Sequence, residues 1–277
     1  MQVNEVVRVA AFTAGGQGGN PAGVVIEAAL PAPEVMQRIA AEVGYSETVF
    51  AAPDGDGWRV RYFSPEHEVP FCGHATIALG AVLARQNGAG VFALATNHAR
   101  VSVEAQADGG IALQSPPTSS APAPADVVAA ALALFGYSAA DLDTRIAPGI
   151  ANGGAGHLVL ALNSRERLSA MRYDLAAGRA LMLEHGWATI ALVFAETPQR
   201  FHARNPFASG GVYEDPATGA AAAALGGYLR DIGWPHGGDV DIIQGEDMGV
   251  PCHLRARISG QPGGSIRVSG SARMLAG

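Results

Sequence analysis

Two stretches of the chain read alike: GHATIALGAVLARQ from Gly73 to Gln86, and TGAAAAALGGYLRD from Thr218 to Asp231. Both are made mostly of small and apolar residues, and neither has a charged face before its last turn. A helix that is apolar nearly all round has no side to present to water, so each is predicted to be buried on every side, for instance inside a curled sheet. They share the spelling ALGxxL, at Ala78–Leu83 and Ala224–Leu229. Alanine-rich helices match by chance rather often, so the order of their neighbours is the better sign of duplication.

That order repeats. Ahead of the first helix an amphipathic stretch from Ala32 to Val43 opens with Pro33 and closes at Gly44, which predicts a helix. Strand-like runs follow at Glu47–Ala51 and Trp58–Phe63, and, after the buried helix, at Val91–Ala95, Arg100–Ala105 and Ile111–Gln114. In the second half a helix over Leu175–His185, closed by Gly186, precedes strands at Thr189–Phe194 and Arg200–Arg204. The second buried helix and strands at Val240–Gln244, His253–Ile258 and Ser265–Val268 complete it. Asn152 to Gly156 reads as a loop before a strand at Leu158–Leu162. Between the halves, SPPTSSAPAPA from Ser115 to Ala125 holds four prolines and no charge, and reads as a linker. The expectation is an α+β fold of two similar domains, 1–117 and 118–277.

Composition excludes several functions. The chain has 277 residues, a net charge of −7 and no lysine; all 18 basic residues are Arg. Schiff-base chemistry and the P-loop both require a lysine. An acidic chain without a basic stripe does not fit nucleic acid. Cys72 and Cys252 have neither metal-ligand spacing nor a disulfide framework around them, and the eight histidines show no HExxH. The opening MQVNEVVRVAAF lacks signal-peptide architecture, and no apolar run is long enough for a membrane span. The expected setting is the cytoplasm, with no metal and no membrane or nucleic-acid partner.

Chemistry gathers at the two helix starts, PFCGHAT (Pro70–Thr76) and EDPATGA (Glu214–Ala220), with SETVF (Ser46–Phe50) and GGNPAGVV (Gly18–Val25) beside them. Glu47, Cys72, His74 and Asp215 are the candidates. Two acids, an imidazole and a thiol near an anion pocket suit proton transfer at a carbon next to a carboxylate. If the two units face each other, both helix N-termini open on the cleft and offer unpaired N–H groups to a carboxylate. On residue type alone, Glu47 reads as a solvated acid and Asp215 as a turn former, while for His74 function and packing or capping stand about even.

The motifs AFTAGGQGGNPAGVV, YSETVF, RYFSPEHEVPFCGHATIALG, RNPFASGGVYEDPATGAAAAALGGYL and QGEDMGVP, in this order, resemble the PhzF-like isomerases of phenazine biosynthesis over essentially the whole chain. The resemblance implies the diaminopimelate epimerase-like fold, each domain a curled, mostly antiparallel sheet around a central helix with the active site between domains. It also implies a homodimer that needs no cofactor and acts on a small carboxylate-bearing substrate, in the namesake enzymes trans-2,3-dihydro-3-hydroxyanthranilate. Carried onto this sequence, it makes Glu47 the proton shuttle, assisted by His74 and Asp215. Burial would raise the pKa of Glu47 toward the working range. Gly73 and Gly219 let backbone amides approach the substrate, and Asn20, Cys72, Thr218 and Ala220 line it.

Two departures stand out. Many PhzF-like proteins have a serine where this chain has Ala220, and the loss of a hydrogen bond to a charged group is worth about 1.5–3 kcal/mol. Thr218 is a candidate replacement donor. Val250 stands where the family often has a cation. Both point toward a different substrate. Cys72 precedes the helix glycine, as in proline racemases and diaminopimelate epimerases, and a helix N-terminus lowers a thiol's pKa. Two further readings therefore stay open: an amino-acid or hydroxy-acid epimerase using Cys72, and a non-catalytic small-acid-binding protein.

Overall fold

Gly73–Asn87 and Gly219–Asp231 are helices, and each is buried along nearly its whole length, as its composition requires. In the computed structural model, which describes residues 6–276, they lie in two different units, Met1–Gln114 with Ser269–Gly277, and Ser115–Val268. The first five residues of the opening MQVNEVVRVAAF, and Gly277, lie outside the described residues. Among the described residues no helix is long and apolar enough to cross a membrane.

The first unit runs β1 (Val7–Thr13), β2 (Asn20–Ile26), α1 (Pro33–Val43), β3 (Thr48–Asp54), β4 (Gly57–Phe63), β5 (Glu68–Val69), α2 (Gly73–Asn87), β6 (Gly90–Ala95), β7 (Arg100–Ala105) and β8 (Ile111–Pro117). Pro33 opens α1, and Gly44 ends it at φ 71°, a conformation that costs a residue with a Cβ. Met36, Ile39 and Ala40 of α1 pack on Val25, Phe50 and Phe63. On the other side of the sheet α2 lies against β1, β2, β3, β6 and β7.

The second unit runs β9 (Ser119–Pro122), α3 (Ala125–Phe135), β10 (Gly149–Asn152), β11 (Gly156–Leu162), α4 (Arg165–Ser169), α5 (Leu175–His185), β12 (Thr189–Thr197), β13 (Arg200–Phe207), β14 (Val212–Asp215), α6 (Gly219–Asp231), β15 (Asp239–Gln244) and β16 (Cys252–Arg257). A last strand, β17 (Ser265–Met274), follows. An outer core forms where Leu158, Leu160, Leu162, Ile190 and Leu192 meet Val127, Ala131, Leu132 and Met182 from α3 and α5. The central helix α6 packs on β9, β10, β11 and β16.

The two units repeat one pairing pattern. In the first, β1–β2 is antiparallel, β2–β3 parallel, β3–β4 and β4–β5 antiparallel, β4–β6 parallel and β6–β7 antiparallel. The second has the same series in β10–β11, β11–β12, β12–β13, β13–β14, β13–β15 and β15–β16. Register fixes residue-level counterparts. Phe63 faces Glu68, and Pro206 faces Glu214. Arg61 and Arg204, each two residues earlier, grip those glutamates with two nitrogens. Phe50 faces Arg61 and Leu192 faces Arg204, so Glu47 and Thr189, each three residues upstream, occupy matching places. Cys72 and Thr218 each lie four residues past the paired glutamate and are the N-caps of α2 and α6.

The segment Ser115–Ala125 is not a free linker. β8 continues to Pro117, β9 pairs with β10, and Ser115 and Thr118 are buried. Ser115 Oγ accepts the Ile266 N–H, and Thr118 donates to the Gly264 carbonyl at 2.8 Å. Proline removes a donor but its φ is compatible with extended chain, so proline-rich composition alone did not exclude strands. Units divide between Gln114 and Ser115, where the sequence suggested 117/118. Residues from Ser269 onward also group with the first unit, because β17 runs on past Val268 to pair Ser271–Met274 with β1. Gly270 and the small polar residues around it hide that extension in the sequence.

Candidate active site

Every other long helix has its N-terminal dipole answered by an acid. Glu34 and Asp126 lie in the first turns of α1 and α3, and Asp174 caps α5 through its side chain. The starts of α2 and α6 have no acid in the first turn and no side-chain cap. Their leading N–H groups and positive dipole ends are thus suited to an external anion.

In the first unit three candidate side chains converge on the start of α2. Glu47 directly precedes β3, Cys72 is the N-cap, Gly73 opens the helix and His74 follows; Glu47, Cys72 and His74 are 6, 8 and 4 % exposed. Glu47 Oε2 lies 3.4 Å from His74 Nε2. Cys72 Sγ lies 3.3 Å from His74 Nδ1 and 4.0 Å from Nε2. Ser46 Oγ also stands 3.4 Å from His74 Nε2. The turn is held from beneath: Thr76 Oγ1 donates to the Cys72 carbonyl at 2.7 Å and is itself 2.7 Å from the Tyr62 hydroxyl. Burial drives the Tyr62 phenol well above its usual range, so it stays a neutral donor to Thr76. Asn20, at the start of β2, is buried opposite Ala11 of β1.

In the second unit Asp215 ends β14 and is buried. Thr218 Oγ1 donates to Asp215 Oδ2 at 2.6 Å, which commits the hydroxyl proton proposed above as a replacement donor. Gln244, at the end of β15, donates to the Asp215 carbonyl at 2.6 Å and to Thr218 Oγ1 at 3.1 Å, and accepts the Thr218 N–H at 3.2 Å. One amide therefore fixes the Asp215 backbone and the N-cap, and the Thr218 hydroxyl in turn holds the Asp215 carboxylate. Gly219 is buried at the helix start, and Ala220 is half-buried beside it.

Sequence reasoning passed over four of these neighbours. Ser46 and Gln244 lay inside quoted motifs but carried no distinguishing signal. His157 and Thr189 lay outside them. His157 is wholly buried, its Nδ1 2.8 Å from Thr189 Oγ1, which donates to Asn205 Oδ1 at 3.0 Å. Asn205 is the backbone partner of Asp215. Burial holds the His157 pKa down at about 4, so the ring is neutral, and its Nε2 has no hydrogen-bond partner among the described residues. Only tertiary pairing reveals this network.

The sequence profile of the phenazine biosynthesis-like proteins, PhzC–PhzF, matches residues 9–277. The chain is 30 % identical over 298 residues to an uncharacterized isomerase of Mesorhizobium japonicum, covering 100 % of this chain and 98 % of that one. It is also 30 % identical over 288 residues to a trans-2,3-dihydro-3-hydroxyanthranilate isomerase of Pseudomonas aeruginosa, covering 99 % and 98 %. A crystal structure of a PhzF-family phenazine biosynthesis protein from Bacillus anthracis superposes with a TM-score of 0.84 at 22 % identity, covering 100 % and 98 %. With the two repeated epimerase-like units described above, these likenesses establish that the chain belongs to the PhzC–PhzF family and is an isomerase.

Proposed function

We propose that the isomerisation is a proton transfer within a small carboxylate-bearing substrate, carried by Glu47 without organic cofactor or metal in the chemical step. The observation that carries this reading is the buried carboxylate of Glu47, 3.4 Å from His74, at a helix start with no acid in its first turn and no side-chain cap. A carboxylate acts first as base and then as acid when the proton it takes is acidified by conjugation with a carbonyl. His74 orients the Glu47 oxygen, and N–H groups at Gly73 receive substrate anion. In the same reading Asp215, held by Thr218 and Gln244, acts on the substrate with the amides of Gly219 and Ala220, while Asn20 and Cys72 serve in binding. The working form is taken to be a cytoplasmic homodimer, which sedimentation equilibrium and fractionation test.

The relative's substrate, trans-2,3-dihydro-3-hydroxyanthranilate, is the first probe, followed by related small unsaturated acids that lack a partner for the missing serine. Incubation in heavy water with NMR detection should show deuterium entering at one carbon. Glu47→Gln should slow that exchange by about 10²–10⁴-fold. Unchanged exchange in Glu47→Gln would remove Glu47 from the role, and no exchange with any acid bound by the protein would favour a binding protein. The thiol–imidazole contact of 3.3 Å supports one alternative, an epimerase with Cys72 as base. Cys72→Ser separates them: a mild effect fits Glu47 as shuttle, and a loss of several orders of magnitude fits the thiol.

A further inference from the structure

The geometry points to a binding site for a thiophilic divalent cation, Zn²⁺ above all, formed by Glu47, Cys72 and His74 in the first unit. Each residue offers one ligand atom, and these atoms all lie within 4.8 Å of one another. Carboxylate, thiolate and imidazole are ligand types that zinc takes, and three protein ligands with a fourth position open is the pattern of an accessible zinc site. With Zn–S near about 2.3 Å and Zn–N and Zn–O near about 2.0–2.1 Å, a tetrahedron has edges of roughly 3.3 Å between N and O and 3.6 Å between S and N. His74 Nε2 stands 3.4 Å from Glu47 Oε2 and 4.0 Å from Cys72 Sγ. The thiol has to close on the imidazole nitrogen by about half an ångström for that edge, and the sulfur and the Glu47 oxygen lie within 4.8 Å of each other.

The second unit serves as an internal control. The same places of the same framework hold Thr189, Thr218 and Ala220, which offer no such set. Nothing in the repeated fold therefore requires a Glu, Cys and His together. All three are buried, so their side chains are already largely ordered before the ion arrives. On binding, the Cys72 S–H bond breaks, its proton passes to solvent, and the sulfur forms the bond to zinc while the ion gives up hydration water. The ion then occupies the Glu47 oxygen and the His74 nitrogen and stops proton transfer at Glu47. That last consequence rests on the function proposed above; the binding itself does not.

Metal-stripped full-length protein titrated with Co²⁺ should take up one equivalent with a thiolate-to-cobalt charge-transfer band in the near-ultraviolet, displaced by Zn²⁺. Cys72→Ser and Cys72→Ala should abolish the band, and His74→Gln should weaken Zn²⁺ binding by about 100-fold or more. Cys252→Ser should keep the band. His202→Ala, which removes the imidazole lying between Glu196 and Glu246, should leave the affinity unchanged. Thermal unfolding of each metal-free variant verifies that it is folded. Absence of the band in the parent protein, its survival in both Cys72 variants, or loss of binding in His202→Ala would overturn the site. Zn²⁺ should also arrest heavy-water exchange until a chelator is added. Undiminished exchange in zinc-loaded protein would overturn the blocking role, whereas zinc binding by a protein that never exchanges would leave the site standing and remove the proposed function instead.

Discussion

At the start of α2 the chain sets a carboxylate, a thiol and an imidazole against one another; at the start of α6 it sets a carboxylate, a hydroxyl and an amide. The frameworks beneath are the same in strand order, parallelism and register, down to an arginine holding a glutamate with two nitrogens on the strand before each helix. What differs is the polar equipment on top. Glu47 has Thr189 as counterpart, Cys72 has Thr218 and His74 has Ala220. A framework that folds with either set does not need the first set for folding, so its chemistry is the better account of its presence. The second set is closed on itself: Thr218 gives its proton to Asp215, and Gln244 fixes both. In the first set His74 stands between the other two, 3.4 Å from a Glu47 oxygen and 3.3 Å from the Cys72 sulfur, an arrangement suited to passing a proton.

The widest gap between the two halves should appear in turnover. Glu47→Thr gives the first unit the residue of the second, and should reduce heavy-water exchange by about 10²–10⁴-fold, the span of a lost general base. Thr189→Val, at the matching place, should change exchange by less than about 10-fold and act through stability, because it leaves His157 and Asn205 without their shared hydroxyl. Equal losses of exchange in the two variants would break the asymmetry.

The repeated ion pair comes next. In the second unit the side chains of Arg204 and Glu214 are 9 and 3 % exposed, and Arg204 also donates to the Ser169 carbonyl at 2.9 Å. In the first unit Arg61 and Glu68 are 19 and 28 % exposed. Removing one partner of a buried pair leaves an uncompensated charge, so Arg204→Met should lower stability by about 3–5 kcal/mol. Arg61→Met should lower it by about 1 kcal/mol or less, since solvent screens the glutamate left behind. Urea denaturation of both variants measures the difference, and equal shifts would mean that burial does not set the worth of this pair.

Acid should act through the second unit. The His157 pKa is depressed by burial from 6.5 to about 4, so the unfolded chain takes up a proton more readily than the folded one. The sign follows: this site leaves stability unaffected above the unfolded value and subtracts from it as pH falls from about 6.5 toward 4, to a total of roughly 3 kcal/mol. His157→Gln keeps a polar group that does not titrate there, and should flatten stability between pH 7 and pH 4.5 relative to the parent. An unaltered slope would mean that other groups dominate acid unfolding.

Most of the framework was legible because it rests on local rules. Helix α1 could be read from Pro33 and Gly44, α5 from its closing Gly186, and the buried helices from their want of a charged face. Of the candidate site, Cys72, His74 and Asp215 stood out as reactive residue types near the helix glycines Gly73 and Gly219, and Glu47 through its motif and the family resemblance. What stayed hidden depends on long-range pairing. The His157–Thr189–Asn205 network joins residues 32 and 16 positions apart, and Gln244 reaches Asp215 across 29. Helix α3 was missed because AAALALF is apolar without a clear stripe, and β9 because proline-rich composition resembled a linker.

The smallest expected effect concerns the shared spelling ALGxxL, which in sequence was weak evidence and in structure has a cause. Gly80 and Gly226 each lie eight residues past their N-cap and face the sheet within their own unit. A Cβ on Gly80 would fall 2.5 Å from a Val103 methyl and 2.9 Å from an Ile111 methyl. On Gly226 it would meet Ile266 at 3.2 Å, Ile258 at 3.4 Å and Ala256 at 3.6 Å, close but near ordinary contact. Alanine gains about 1 kcal/mol of helix propensity over glycine at either place, against about 1–3 kcal/mol for overpacking. Gly226→Ala should therefore leave stability within about 0.5 kcal/mol, because the modest overlap cancels most of the propensity gain. Gly80→Ala should destabilise by about 1–2 kcal/mol, since two buried branched side chains must move together. If Gly226→Ala proves the more damaging in urea titration, the second sheet grips its helix more tightly than the first, and the likeness of the two frameworks ends at their topology.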